Sequence, residues 1–309
     1  MTDKVAIYQI YYEPAQLKYL DQAFKPFLNA VAVDEAYRWR EFSVFFKAWQ
    51  EKWHERQTHL GFLSWKFSQK AQVSGRDFDY WISQNPGYDV YSLNPFPVQP
   101  LVFRNVWQQA EHYHQGIKPL LHELLTSGTI PGDYERDVHG KPETLYCNYW
   151  VGNAKFWESF LQFADHVRAH METRLNPELS SIAFERIDKT HNAPNTSFVM
   201  ERLFTAFISS QSHMRHLQYE YSTAQLEQRY GRFVASRFQR LQEIKHREQT
   251  GSVLRSGQIR LRKAVLDQAY REVTPRMRAT HRRLGSWRVL FARLRTGVFR
   301  FPRFRRKVS

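Results

Sequence analysis

Short β-rich runs alternate with helical patterns over the first ~200 residues, and this alternation constrains the fold more than any other feature of the chain. Val5-Ala-Ile-Tyr-Gln-Ile-Tyr-Tyr12 ends before Pro14 and predicts a buried first strand. Residues 34–56 carry Tyr37, Phe42, Phe45, Phe46, Trp49 and Trp53 at mostly helical spacing. Leu60-Gly-Phe-Leu-Ser64 predicts a short buried strand. Ser74-Gly-Arg-Asp77 has the spacing of an N-terminal capping box, opening a helix that Asn85-Pro-Gly87 closes. A strand over 89–93 runs into a proline-rich loop, 94–100. Then follow a helix over 105–126, a polar loop, a strand over 144–151, a helix over 154–174, an irregular stretch, and a helix over 197–209. The reading is α/β with a mostly parallel sheet flanked by helices, and no internal repeat.

The charge is divided as unevenly as the pattern. Residues 1–220 hold 22 Lys+Arg against 25 Asp+Glu, whereas residues 221–309 hold 23 against 5. From Thr223 onward the pattern is helical and basic, so the expected organisation is a catalytic body, 1–220, with a basic helical extension, 221–309. Leu284, Trp287, Phe291, Leu294, Val298 and Phe301 form one helical stripe between arginines, the pattern of a helix lying on an anionic membrane surface. Each basic residue near such a surface contributes roughly 1 kcal/mol. Nucleic acid is not the expected partner, because the excess charge is confined to the extension.

A lone cysteine, Cys147, excludes an internal disulfide framework. No signal-peptide pattern opens the chain. The longest stretch free of Asp, Glu, Lys and Arg, residues 90–103, contains Pro95, Pro97 and Pro100 and cannot span a bilayer. The expectation is a cytoplasmic protein, peripheral on the inner face of the plasma membrane.

Open α/β sheets bind ligands outside the carboxyl ends of their strands. The residues leaving the predicted strands are therefore candidates: Ser64, Trp65 and Lys66, then Asn94 and Pro95, then Gly152 and Asn153. A lysine beside a tryptophan suits a diphosphate next to a sugar or base, and it equally suits a surface cation over a core ring. His112 and His114 stand two apart on a predicted helix and so diverge, which disfavours a shared metal. Glu201, beside Arg202 in the apolar turn Phe198-Val-Met-Glu-Arg-Leu-Phe204, has the surroundings that raise a carboxyl pKa and make a general base. The same pattern also describes a glutamate on the polar side of an amphipathic helix. There is no zinc-spaced Cys/His set, no phosphate-binding glycine loop and no nucleophile elbow.

In order along the chain, these segments resemble the GT-A-like glycosyltransferases of bacterial capsule and lipopolysaccharide gene clusters, formerly a domain of unknown function. Glu41-Phe-Ser-Val-Phe-Phe-Lys-Ala-Trp49 resembles the family's E-L-T-x-x-Y-x-x-W helix. Leu60-Gly-Phe-Leu-Ser-Trp-Lys-Phe67 resembles I-G-L-x-H-Y-R-R-Y, and Tyr88-Asp-Val-Tyr-Ser-Leu93 resembles Y-D-I-I-L-P. Val106-Trp-Gln-Gln-Ala-Glu-His-Tyr-His114, Tyr149-Trp-Val-Gly-Asn-Ala-Lys-Phe-Trp157 and Phe198-Val-Met-Glu-Arg-Leu-Phe204 match later motifs, so the resemblance spans residues 5–210. It implies a nucleotide-sugar donor and a glycan or lipid-linked acceptor. Lys66 is expected to neutralise the departing diphosphate and Glu201 to act on the acceptor hydroxyl. Gln9, Tyr11, Ser64, Trp65, Asp89, His112, His114, Tyr146, Asn148, Trp150, Asn153 and Arg202 are the expected donor and acceptor contacts. The family's His-Tyr-Arg-Arg run is Ser64-Trp65-Lys66-Phe67 here, and no Asp-x-Asp follows, so a divalent metal is not expected. The alternative class is a non-catalytic binding or assembly protein whose basic extension engages nucleic acid or an acidic partner.

Overall fold

The computed structural model describes residues 5–29, 38–185, 187–188 and 193–272. A six-stranded sheet runs in the order β2-β1-β3-β5-β4-β8. Its strands are β1 (Val5–Tyr11), β2 (Lys25–Leu28), β3 (His59–Ser64), β4 (Val90–Ser92), β5 (Trp150–Gly152) and β8 (His216–Gln218), and β6 (Ile187–Asp188) with β7 (Ala193–Pro194) form a separate small ladder. β1 is parallel to β2 and β3, and β4 is parallel to β8, while β5 runs antiparallel between β3 and β4. The fold is thus α/β with a mostly parallel sheet, consistent with the GT-A-like expectation.

Thirteen α-helices surround the sheet among the described residues. They are α1 (Glu41–Gln50), α2 (Phe67–Ala71), α3 (Gly75–Gln84), α4 (Gln99–Val102), α5 (Val106–Tyr113), α6 (Lys118–Thr126), α7 (Ala154–Thr173), α8 (Pro177–Ser180), α9 (Asn195–Met200), α10 (Leu203–Ser210), α11 (Thr223–Ala235), α12 (Phe238–Gln249) and α13 (256–272). None is long and apolar enough to cross a membrane.

Alternation along each strand divides the core into two layers, because successive strand side chains point to opposite faces. Ala6, Ile10, Leu60, Phe62, Val90 and Trp150 face a layer built from α1, α5, α6, α7, α9 and α10. Ile7, Leu63, Tyr91, Tyr149 and Val151 face the other layer, built from α2, α3, α4 and the C-terminal helices. Gly61 lets β5 lie close to β3: a Cβ there would stand 2.7 Å from Val151 Cγ2 and 2.9 Å from the Trp150 carbonyl.

The expected division at 220/221 does not separate two cores. Tyr221, Leu226, Tyr230, Val234, Phe238, Leu241, Ile244, Val265 and Ala269 share the second layer with strand residues. Arg229 of α11 is fully buried and donates to the carbonyls of Ala71 (2.6 Å), Lys70 and Pro95. Lys245 of α12 donates to the carbonyls of Phe103 and Arg104, each at 2.7 Å. The apolar stripe over 284–301 lies outside the described residues.

Ser74 caps α3 as its spacing predicts, accepting from Asp77 N at 3.1 Å. Other boundaries differ. The helix expected over 105–126 is broken between α5 and α6, where Gly116 has φ 84°. The strand expected over 144–151 is regular only over Trp150–Gly152. Side chains secure the residues before it: Asn94 and Gln218 donate to the Thr144 carbonyl, and Thr205 Oγ1 accepts from Leu145 N.

Candidate functional site

The carboxyl ends of β1 and β3 and the chain entering β5 meet at one edge of the sheet. Antiparallel pairing sets this meeting. Leu60 and Gly61 of β3 pair with Gly152 and Val151, so the residues before Trp150, not those after Gly152, come beside the end of β3. Leu93 N donates to the Tyr149 carbonyl at 2.9 Å, which brings the end of β4 to the same edge. Cys147, Asn148 and Tyr149 therefore lie at the edge where Ser64, Trp65 and Lys66 leave β3.

Trp65 is buried, and its N–H donates to the Ile10 carbonyl at 2.9 Å, continuing the β1–β3 ladder for one residue. Its ring lies 5.7 Å from that of Tyr19, and Lys66 Nζ stands 4.9 Å from its centroid. Tyr11 ends β1 and is half-buried, and its carbonyl accepts from Asn29 N. Gln9 is fully buried, with both ends of its amide engaged: Nε2 donates to the Ser64 carbonyl (3.2 Å) and Oε1 accepts from Asp21 N (2.7 Å). It ties strand ends together and presents no face to a ligand.

The helix expected over 197–209 breaks at Glu201-Arg202, between α9 and α10. Arg202 turns inward, where Nη1 donates to the Phe198 carbonyl (2.9 Å) and to Glu201 Oε2 (3.1 Å), and Nη2 donates to Gln109 Oε1 (2.6 Å). Glu201 turns toward the edge, its side chain 24% exposed. Burial pushes the Glu201 carboxyl above its ordinary value against the pull of Arg202 and Lys70, and Glu41 adds to the rise. Burial is also the main reason the Tyr146 phenol is raised, with Arg202 opposing it. Tyr146 and Asn148 are buried, and Asn148 Oδ1 and the Tyr149 hydroxyl have no hydrogen-bond partner among the described residues. His114 lies stacked on Phe198, ring centroids 3.5 Å apart. His112, two residues earlier, is exposed beside Tyr113 and Phe103.

Three expected contacts lie elsewhere. Asp89 and Asn153 stand at the opposite end of the sheet, because β5 is antiparallel and the residues leaving it emerge beside the start of β4. There Asn153 Nδ2 donates to Asp89 Oδ1 (2.9 Å), while Asn153 Oδ1 caps α7 through Phe156 N (2.9 Å). Asp89 also accepts from Arg215 N (2.9 Å) and Lys155 Nζ (3.3 Å). Burial works to raise the Asp89 carboxyl, but these donors outweigh it and hold the group below its ordinary value. Trp150 is a core residue, 1% exposed, packed among Phe45, Phe156 and Trp157. Among the described residues, no group of three or more His, Cys, Asp or Glu is placed to hold a metal ion.

The edge also gathers residues that the sequence reading leaves without a role. Lys70 Nζ donates to Cys147 Sγ at 3.4 Å. Burial works to lower the Lys70 ammonium, but Cys147, Glu201 and Glu41 raise it above its ordinary value. Burial pushes the Cys147 thiol up to about 11 against the pull of Lys70, so this cysteine is not an activated nucleophile. Glu41, the first residue of α1, acts on Tyr12, Lys70, Cys147, Tyr149 and Glu201 alike. Its sequence signal is ambiguous, since an acid in the first turn of a helix is ordinary dipole compensation.

No protein-family model matches the chain, and no curated protein matches it. Among solved structures, the bifunctional glycosyltransferase WbbM in its apo form aligns with a TM-score of 0.44 and 12% identity, over 70% of this chain and 44% of that one. The chain thus spans less than half of that structure, and a likeness at this level carries no argument about function.

Proposed function

We propose that this chain is a glycosyltransferase that moves a sugar from a nucleotide-sugar donor to a glycan or lipid-linked acceptor at the cytoplasmic face of a membrane. The observation that carries the reading is Glu201. It is a partly exposed carboxylate, raised by burial and steadied by a buried arginine, at the carboxyl edge of an α/β sheet.

In this reading Glu201 accepts the proton of an acceptor hydroxyl as that oxygen attacks the anomeric carbon. The bond from that carbon to the diphosphate oxygen breaks, and the leaving diphosphate takes up the electron pair. Lys66, held over the Trp65 ring, neutralises the departing group. Ser64, Tyr11, Asn148 and Tyr146 line the same edge and serve as sugar contacts. Arg202 keeps the Glu201 carboxylate in position and touches no substrate.

A thermal-shift screen of the full chain against nucleotide sugars, with and without Mn²⁺, followed by a turnover assay, tests the reading. Stabilisation by at least one donor together with transfer or hydrolysis supports it. Tight, salt-sensitive RNA or DNA binding without nucleotide-sugar affinity would establish the non-catalytic alternative. The membrane half is tested separately with a chain ending at Glu272, which lacks twelve Lys and Arg. That chain is expected to stay folded and to leave phosphatidylglycerol vesicles that the full chain binds. Equal binding by both chains rejects the anchor.

A further inference from the structure

The turn between α12 and α13 is short, is tied at both ends, and displays apolar and basic side chains outside the core. α12 closes on Gly251, whose φ of 86° lets Gly251 N donate to the Glu248 carbonyl (3.1 Å) and Ser252 N to the Arg247 carbonyl (2.9 Å). α13 opens with Arg255 N donating to Gln258 Oε1 (2.7 Å) and Ile259 N donating to the Arg255 carbonyl (3.1 Å). Behind the turn, Arg262 Nη2 donates to Oε2 of the buried Glu248 at 2.8 Å and holds the two helices together. The two apolar residues of the turn go different ways. Leu254 packs against the second core layer, whereas Val253 is 92% exposed, the most exposed large apolar side chain among the described residues. Ile259, in the first turn of α13, is 55% exposed, while Arg262, Val265 and Ala269 on the inward face are buried.

Exposed charge at this end of the hairpin has one sign. Between His246 and Lys263 the exposed charged side chains are Arg247, Arg255, Arg260 and Lys263. The acid in that span, Glu248, is buried and already paired with Arg262 (2.8 Å), Lys245 (3.6 Å) and Arg104 (3.7 Å). The nearest exposed acids on the two helices, Glu243 and Asp267, stand about one turn beyond Arg247 and Lys263. The loop over 133–143 reaches α12 where Gly140 meets the Gln249 amide. Its carboxylates are engaged within it: Asp133 accepts from Glu135 N and Arg136 N, Asp137 from Asp133 N, and Glu143 from Gly140 N. Glu135 and Arg136, both exposed and adjacent, offset one another.

We infer that the end of the α12–α13 hairpin is a lipid-contacting surface that seats the folded body on an anionic bilayer. Val253 and Ile259 enter the interface, and Arg247, Arg255, Arg260 and Lys263 meet the lipid phosphates. Four exposed cations with no exposed acid among them select an anionic partner. Aliphatic side chains set between cations are what an interfacial surface rewards. A nucleic-acid backbone would engage the same cations but offers Val253 no apolar phase, and a second copy of the tip would bring cation against cation. This surface depends on the membrane half of the proposed function, in which residues 273–309 bring the chain to the bilayer, and it adds the face of the body that meets the lipid. Weak membrane signals hold firmly only in pairs, so the hairpin orients the chain without retaining the form that ends at Glu272.

The full chain is labelled with an environment-sensitive NBD fluorophore through Val253→Cys and, for comparison, through Thr173→Cys, exposed at the end of α7 on the other core layer. Cys147 is buried, and the unsubstituted chain serves as the labelling control. On phosphatidylglycerol–phosphatidylcholine vesicles the label at 253 is expected to shift to the blue and to be quenched by bromines placed near the top of the acyl chains, with the label at 173 unchanged. Val253→Asp is expected to lower vesicle partitioning about fivefold or more, and Arg255→Gln combined with Arg260→Gln about twentyfold, with the circular dichroism of each variant unaltered. Three results overturn the inference and leave the anchor standing: sedimentation of the full chain with an unmoved 253 label, equal responses at 253 and 173, or unchanged partitioning of Val253→Asp. Failure of the full chain to sediment with the vesicles removes the membrane half of the proposed function and the inference with it. A 253 label that responds to single-stranded RNA and not to vesicles assigns the face to nucleic acid and likewise overturns the inference.

Discussion

Arg202 Nη1 lies 3.1 Å from Glu201 Oε2, yet the two side chains differ in exposure: the arginine side chain is 2% exposed and the glutamate 24%. The pair stands at the break between α9 and α10. The buried guanidinium fixes the turn, and the carboxylate it steadies faces the edge of the sheet.

Replacing Glu201 by Gln keeps shape and removes the base. Turnover is expected to fall by about 10²–10⁴-fold with donor affinity little changed. The raised Glu201 carboxyl must lose its proton to act, so the acid limb of the wild-type pH–rate profile should lie above the ordinary carboxylate range. Full transfer activity in Glu201→Gln, or an acid limb at an ordinary carboxylate value, removes Glu201 from the chemistry.

Lys66→Ala is expected to weaken nucleotide-sugar binding by about 1.5–3 kcal/mol, the range for a hydrogen bond to a charged group. Calorimetric titration of variant and wild type gives the difference directly. An unchanged affinity makes Lys66 a cation that merely covers Trp65.

Arg229→Met preserves bulk and removes the donors to three buried carbonyls, those of Lys70, Ala71 and Pro95. Each orphaned acceptor costs about 1–3 kcal/mol, so a loss of several kcal/mol in urea denaturation is expected. Sugar binding should also weaken in the variant that remains folded, because the segment carrying Lys70 is released. Wild-type stability would show that α11 is an appendage to the body.

Lys245 provides a pH signature. Burial pushes its ammonium down to about 8, with Glu248 opposing and Arg262 reinforcing the drop. The folded value lies below the unfolded one, so between about 8 and 10.4 the unfolded chain binds more protons and stability rises with pH across that window. The neutral amine keeps two N–H donors for the Phe103 and Arg104 carbonyls. Denaturation midpoints of the wild-type chain, compared with Lys245→Met over this range, should show the rise in the first and its absence in the second. Parallel curves reject it.

What the sequence determined by itself is local. Alternating strand and helix signals give the α/β class; Ser74 and Asp77 give the start of α3; the apolar run Phe198–Phe204 with an acid and a base inside it marks Glu201 only as a candidate. These follow from interactions within a few residues, which the order of side chains already encodes. The direction of β5 is different in kind. Whether Trp150–Gly152 runs with or against β3 depends on pairing with residues about 90 positions earlier, and its apolar run reads the same either way. That single orientation moves Asp89 and Asn153 to one end of the sheet and brings Cys147–Tyr149 to the other. The boundary at residue 220 followed charge, but charge marks solvent-facing surfaces, while Leu226, Tyr230, Leu241 and Val265 settle into the core of the body. Lys70 meets Cys147 only because two segments 77 positions apart converge at one edge. Such convergence is a property of the tertiary structure, where long-range packing selects among arrangements that local pattern leaves equal.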